Sequence, residues 1–351
     1  MMHPSDTSGK KDRRPSAGMA RTAAGYLVAA LALVWVFHDV NFSLLEKEVS
    51  GIIWPLAILG MCVDVGRYAT QSVRWNLLLR PLGTISVAKT FQALYTGIFL
   101  NLVFPLRIGE IARAYLASRH CGARFPAVVS SLFTEYLFDG VWLALGIGVA
   151  ALFVKMPVEV AGIARVLGCV ILASICLFLL LLFHKKRLTA TRRFMEQTGI
   201  FSFRPVRGAV SFFHTIRGGL KTIGGSRFFW LSFALSSFDL MFHILAFWII
   251  MIAYGIHLPF LSAAAVLLFV FVGLIIPNAP SNAGAFQFLC VIGLLAFGID
   301  KTMASGFSVL VFIMVNIPQV VIGWLAFSRS GHTLYEIKKT IASLRLKGTE
   351  E

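Results

Sequence analysis

The chain is written mostly in long apolar runs with few polar interruptions. Runs able to span a hydrocarbon core of roughly 30 Å occupy about residues 22–38, 51–73, 126–153, 164–183, 228–252 and 305–327. Two regions differ. Residues 88–118 and 261–299 each hold two shorter apolar or amphipathic pieces hinged at a proline, Pro105 in the first and Pro277 in the second. The pattern predicts an all-α polytopic membrane protein with about six full transmembrane helices and two re-entrant helical hairpins. No small-residue cleavage site follows the first run, which therefore reads as an anchor that stays in place.

Composition supports the same class. Of 351 residues, 58% are hydrophobic and only 14% are charged, whereas soluble domains carry nearer a quarter. The net charge of +16 is unevenly spread, and that spread orients the chain. Residues 185–227 carry ten Lys/Arg against Glu196, and the arm through Arg21 and the tail after Phe327 carry five basic residues each. By the positive-inside rule these three segments belong in the cytoplasm. The resulting division is a basic arm (1–21), a transmembrane domain (22–327) with a basic amphipathic segment at 184–227, and a tail (328–351). Phe201, Phe203, Phe212, Phe213 and Ile216 among the bases of that segment suit anionic lipid; no nucleic-acid motif accompanies them. Five cysteines without paired spacing read as small apolar residues, not as a metal site or a disulfide framework.

Residues 67–124 also count as cytoplasmic, with eight basic residues against Glu110. A full crossing by 88–104 would strand Arg107, Arg113, Arg119 and Arg124 outside, which a hairpin returning to the cytoplasm avoids. Two full crossings per region would leave the ends on the same sides, so parity allows either. Span, hairpin and span then occur twice, starting from opposite sides, as in an inverted repeat.

Charges inside the apolar runs are the candidate chemistry. In "FPLRIGEIARAY" Arg107, Glu110 and Arg113 are three apart, which places them on one helix face with one spare positive charge. Gly109 admits a close neighbour, and Pro105 suits a helix start. The plain alternative is an interfacial helix whose arginines reach lipid phosphates. In "IIPNAPSNAGAFQF" Pro277 and Pro280 interrupt any helix, while Asn278, Ser281, Asn282 and Gly284 need a lined cavity at membrane depth. Ser281 and Asn282 sit where a helix N-cap belongs. Glu135 and Asp139 follow Ser131 at four-residue steps, and their simplest partners are Arg107, Arg113 or Arg67. Asp64 and Arg67 form an i,i+3 pair. Asp239 and His243, one turn apart, form either a proton relay or an ordinary helix-to-helix hydrogen bond.

"FPLRIGEIARAYLASR", "SSLFTEYLFDGVWLAL" and "PNAPSNAGAFQ", in that order, resemble the motifs of the flippase-like lysylphosphatidylglycerol synthase transmembrane family over roughly 22–328. The resemblance implies a bacterial or archaeal membrane protein tied to lipid translocation. It carries family positions onto Arg107, Gly109, Glu110 and Arg113, onto Glu135 and Asp139, and onto Pro277, Asn278, Pro280, Gly284 and Phe286. The chain ends at Glu351 without a synthetase domain, so aminoacyl transfer is not expected. The expected function is a non-enzymatic flippase in the bacterial inner membrane, with both termini cytoplasmic. It would act on an anionic or lipid-linked headgroup, with membrane lipids and a lipid-modifying enzyme as partners and without metal, cofactor or nucleic acid. The rivals are an enzyme on lipid-linked substrates using Asp39, and a scaffold using the basic segment.

Overall fold

The computed structural model describes residues 17–104, 107–154, 162, 169, 172–173, 176, 218–274 and 280–331. Every regular element among them is helical. In chain order these are α1 (Ala17–Phe37), α2 (Phe42–Ser50), α3 (Trp54–Leu79), α4 (Val87–Val103), α5 (Ile108–Cys121) and α6 (Phe125–Phe153). There follow α7 (Arg227–Ala253), α8 (Phe260–Gly273), a single turn over Pro280–Asn282, α9 (Ala285–Leu295) and α10 (Lys301–Ser328). A further helical stretch covers 218–224.

Three described helices, α6, α7 and α10, are long and apolar enough to cross a membrane. A fourth crossing results if α2 and α3, bent by 80° at residues 51–53, are taken as one span. The expected count of six is therefore not reproduced among the described residues, and the run at 164–183 lies largely outside them. Asn41 caps α2 by accepting from the amides of Ser43 and Leu44 at 3.1 and 3.2 Å, which starts a new helix where the apolar run alone predicts a loop. Large apolar side chains such as Leu152, Phe153 and Trp230 stand exposed, as they must on a surface facing lipid.

Both hinged regions are broken helices. At 1.5 Å per residue, the 17 and 14 residues of α4 and α5 reach only about 26 and 21 Å. The 14 and 11 residues of α8 and α9 reach only about 21 and 17 Å. None of the four spans roughly 30 Å of hydrocarbon. Pro105, Pro277 and Asn278 lie outside the described residues.

Helices α3 to α6 and α7 to α10 repeat one order: long, short, short, long. Their packing repeats as well. The pair α4–α5 has its counterpart in α8–α9, α5–α6 in α9–α10, and α4–α10 in α8–α6. The two first helices, α3 and α7, pack on each other along most of their length. They run antiparallel: the Ile53 amide donates to the Ala253 carbonyl at 2.9 Å, and at the far end Ser232 donates to the Arg74 carbonyl at 3.2 Å. Gly60 permits the close crossing, because a Cβ there would lie 2.6 Å from Ile250. Each half also has its own core. Trp75, Leu94, Leu116 and Leu132 pack in the first; Phe247, Leu267, Leu294 and Phe307 pack in the second.

Candidate functional site: a buried ion network beneath two broken helices

Polar stripes on three helices meet inside this bundle. On α3, Asp64, Arg67, Gln71 and Arg74 recur at steps of three and four, which is one helix face. Ser232, Ser236, Asp239 and His243 form the matching stripe on α7, and Ser131, Glu135 and Asp139 the one on α6. Charges at such depth persist only when paired, and these are.

Arg74 is the centre. Its side chain is 0% exposed, and it binds Glu135 at 3.0 Å, Asp139 through both oxygens and Ser236 at 2.8 Å. The planar guanidinium can serve three partners at once, which an ammonium could not do with the same geometry. Glu135 also accepts from Arg113 and from Gln71 at 3.4 Å. Arg113 stacks 4.1 Å above the Trp75 ring, and the indole donates to Ser131 at 2.9 Å. Arg113 lies 3.8 Å from Glu110, which accepts from Asn101 at 3.1 Å. The Asn101 carbonyl oxygen accepts the Gly109 amide at 2.8 Å. Asn101 thereby ties α4 to the first turn of α5, which positions Glu110 and Arg113. Asn101→Leu is expected to leave that amide unsatisfied at a cost of about 1–3 kcal/mol. The check is a lowered unfolding midpoint in detergent; an unchanged midpoint would remove Asn101 from the network.

A second group sits farther toward the α3 N-terminus. Arg67 lies 3.4 Å from Asp64, 3.5 Å from Asp239 and 3.9 Å above the Tyr68 ring. The His243 Nε2 lies 3.8 Å from Asp64. Two of these contacts, Arg67–Asp239 and Asp64–His243, cross between α3 and α7: of the two expected alternatives for His243, the structure gives the helix-to-helix contact, and its partner is Asp64. The i,i+3 pair of Asp64 and Arg67 is present.

Arg107 does not share the face of Glu110 and Arg113. It precedes the helix with a left-handed backbone (φ 50°), its side chain is exposed, and Nη2 donates to the Leu274 carbonyl at 3.5 Å. Neither Arg107 nor Arg67 pairs with Glu135 or Asp139; Arg113 and Arg74 do. Ser281 and Asn282 are also left-handed, at φ 57° and 53°, and they do not cap α9. Gly284 is the cap: its amide donates to the Gln287 side chain at 2.7 Å, and its backbone lies against Ala29 of α1. Pro280 begins the preceding turn. Ser281 instead donates to the Leu102 carbonyl at 3.1 Å.

The two breaks therefore hold each other. In each, a left-handed residue just ahead of the second short helix bonds a carbonyl at the end of the other half's first short helix. Such carbonyls have no partner within their own helix. Of four non-glycine residues with positive φ among the described residues, three lie at these breaks. Under them lies a cavity of about 130 Å³ reaching Asp64 and His243. Asp39 pairs with the adjacent His38 at 2.5 Å in an exposed turn and is not among the residues of the network. No cluster of metal ligands occurs among the described residues.

Sequence reasoning missed Arg74, Gln71 and Asn101. The 3-4-3 spacing of Asp64, Arg67, Gln71 and Arg74 was the available signal. The apolar run stops near residue 73, but the helix continues to Leu79 and carries Arg74 into the interior. Three of the eight basic residues assigned to the cytoplasmic segment, Arg67, Arg74 and Arg113, are buried.

These features define a polytopic helical membrane protein with two interlocked broken helices and a buried ion network. Residues 22–323 match the family described as the lysylphosphatidylglycerol synthase TM region, and the chain belongs to it. It is thus related to membrane proteins of lipid modification or transport. No curated protein matches the chain.

Proposed function

We propose that the protein is a lipid flippase of the bacterial inner membrane that moves an anionic or lipid-linked headgroup between leaflets. The observation that carries this reading is the reciprocal contact of the two breaks, Arg107 to Leu274 and Ser281 to Leu102. The short helices are re-entrant hairpins in this reading, and the halves are an inverted repeat. The antiparallel α3–α7 pair and the duplicated packing support that symmetry. Two such halves exchange roles when one rocks against the other, which opens the site to alternate sides.

Arg107 is the exposed cation at the junction, and it receives the phosphate; Arg113 is occupied by Glu135 and Glu110 and holds the frame. Ser281, Asn282 and Gly284 shape the opposing wall, which offers polar groups without charge. Both termini are cytoplasmic, and a lipid-modifying enzyme supplies or uses the cargo.

The test uses fluorescent phosphatidylglycerol in proteoliposomes, with dithionite bleaching to read which leaflet holds the label. Protein-dependent translocation above that of empty vesicles is expected. Arg107→Ala should slow it about tenfold, the loss of roughly one charge-assisted phosphate contact, with any fall in the unfolding midpoint limited to the loss of its long bond to the Leu274 carbonyl. Absence of translocation across anionic and lipid-linked probes would count against transport.

A further inference from the structure

With both carboxylates ionised and His243 neutral, the Asp64–Arg67–Asp239–His243 group carries one negative charge too many. One guanidinium faces two carboxylates at 3.4 and 3.5 Å, and a neutral His243 adds nothing. Its neighbours do not restore the balance. From α10, Gln319 lies against Asp64, and Asn316 lines the same cavity; both are neutral. Tyr68 lies beneath Arg67 on α3, and Phe271 of α8 meets the His243 ring edge-on at 4.7 Å. The Tyr95 hydroxyl of α4 is fully buried, has no hydrogen bond and faces Arg67 and Asp64. Arg74 and Asp139 act on Asp239 from the other group, and they belong to a set of two arginines and three carboxylates that is itself short of positive charge.

An unpaired charge away from water is costly, and such groups take up a proton instead. Asp64 and His243 also line the cavity of about 130 Å³. One water needs about 10–15 Å³ of such volume and two or more polar partners; Asp64, His243, Ser281 and Asn316 are the polar groups of an otherwise apolar lining, so the space admits a water beside the pair. A proton donor can therefore reach the pair.

We propose that Asp64 and His243 form a proton-binding site, sharing one proton taken from water in the cavity beneath the two breaks. The proton adds to the His243 Nε2 lone pair, and the new N–H donates to the Asp64 carboxylate as the 3.8 Å separation closes. Loading makes the group neutral and satisfies Asp64 from α7. Arg67 is then free to pair with Asp239 alone. Asp239 faces Arg74 and Asp139, so the shift is felt by the network that holds α5 and α6. Release reverses each step and returns the proton to water. This assignment deepens the transport reading by naming its coupling ion, and only the word coupling rests on that reading.

Proton uptake between pH 8 and pH 5 tests it, counted with a pH dye on the purified full chain in detergent. His243→Gln and Asp64→Asn should each lower uptake by about one proton per chain, and the double variant by no more than either alone. Losses that add, or no loss in Asp64→Asn, would overturn a shared proton. Should Asp64→Asn fail to fold, infrared difference spectra between the two pH values decide. With eight histidines in the chain, the imidazolium signal must fall in His243→Gln by the share of one histidine; an undiminished signal overturns the proposal. Uptake with this signature in a protein that moves no lipid would overturn the transport reading and leave the proton site standing.

Discussion

Arg74→Ala is expected to be the most damaging single substitution in this protein. Among the described residues the arginine is the one group that touches Glu135, Asp139 and Ser236 together, and it is wholly enclosed. Its removal leaves Asp139 without its cation and Glu135 with Arg113 and Gln71 alone; breaking a buried pair costs up to about 3–5 kcal/mol. Unfolding followed by tryptophan fluorescence in detergent should show a large fall in midpoint, or no folded protein in size-exclusion chromatography. Arg74→Lys should recover little, because a single ammonium cannot fork between the two acids. Adding Glu135→Gln and Asp139→Asn to Arg74→Ala should restore part of the stability, since neither acid is then left as an unpaired charge. Failure of that rescue would mean that Arg74 acts by filling space and not by charge.

Gly109→Ala should be nearly as harmful for a different reason. A Cβ at Gly109 would run into the Gly97 carbonyl and lie 2.6 Å from the Asn101 side-chain oxygen. The backbones of α4 and α5 touch there, so no flexible side chain can give way. The helices must separate, which breaks the Asn101 bond and draws Arg113, one turn on, away from Glu135. Overpacking of this kind costs about 1–3 kcal/mol, and headgroup movement should fall with it. Gly66→Ala, with nothing within 4 Å of its added carbon, is the control. It should be neutral or slightly stabilising, because alanine is the better helix former. Equal effects of the two substitutions would rule out the close backbone contact as the cause.

Much of the architecture was legible in the chain because bilayer thickness and backbone polarity admit few solutions. Long apolar runs have to be helices, and α6, α7 and α10 follow them closely. The breaks were legible from proline and from the sudden polarity of "PNAPSNAG". Glu110, Glu135, Asp139 and Arg113 stood out because charge is expensive where they lie. The α3 boundary was less legible: hydropathy ends a span at its first charges, but a helix continues while its polar face has buried partners. Arg74 was lost for that reason, and a search for helical spacing past the apolar run would have found it. Asn101 carries no charge, and its value depends on a backbone amide eight residues away.

The sequence by itself determined the class of this protein, its helical content and most of the charges that need partners, Arg74 excepted. Those follow from local rules: the length of an apolar run, the missing amide of proline and the cost of a charge in hydrocarbon. Only the tertiary structure decided who the partners are. Arg67 bridges to Asp239, Asp64 meets His243, Arg74 holds α6 to α3, and Arg107 leaves its own helix for the opposite break. Each pairing joins residues separated by tens to hundreds of positions. Helix packing selects among several electrostatically equivalent choices, and no local pattern in the chain encodes that selection.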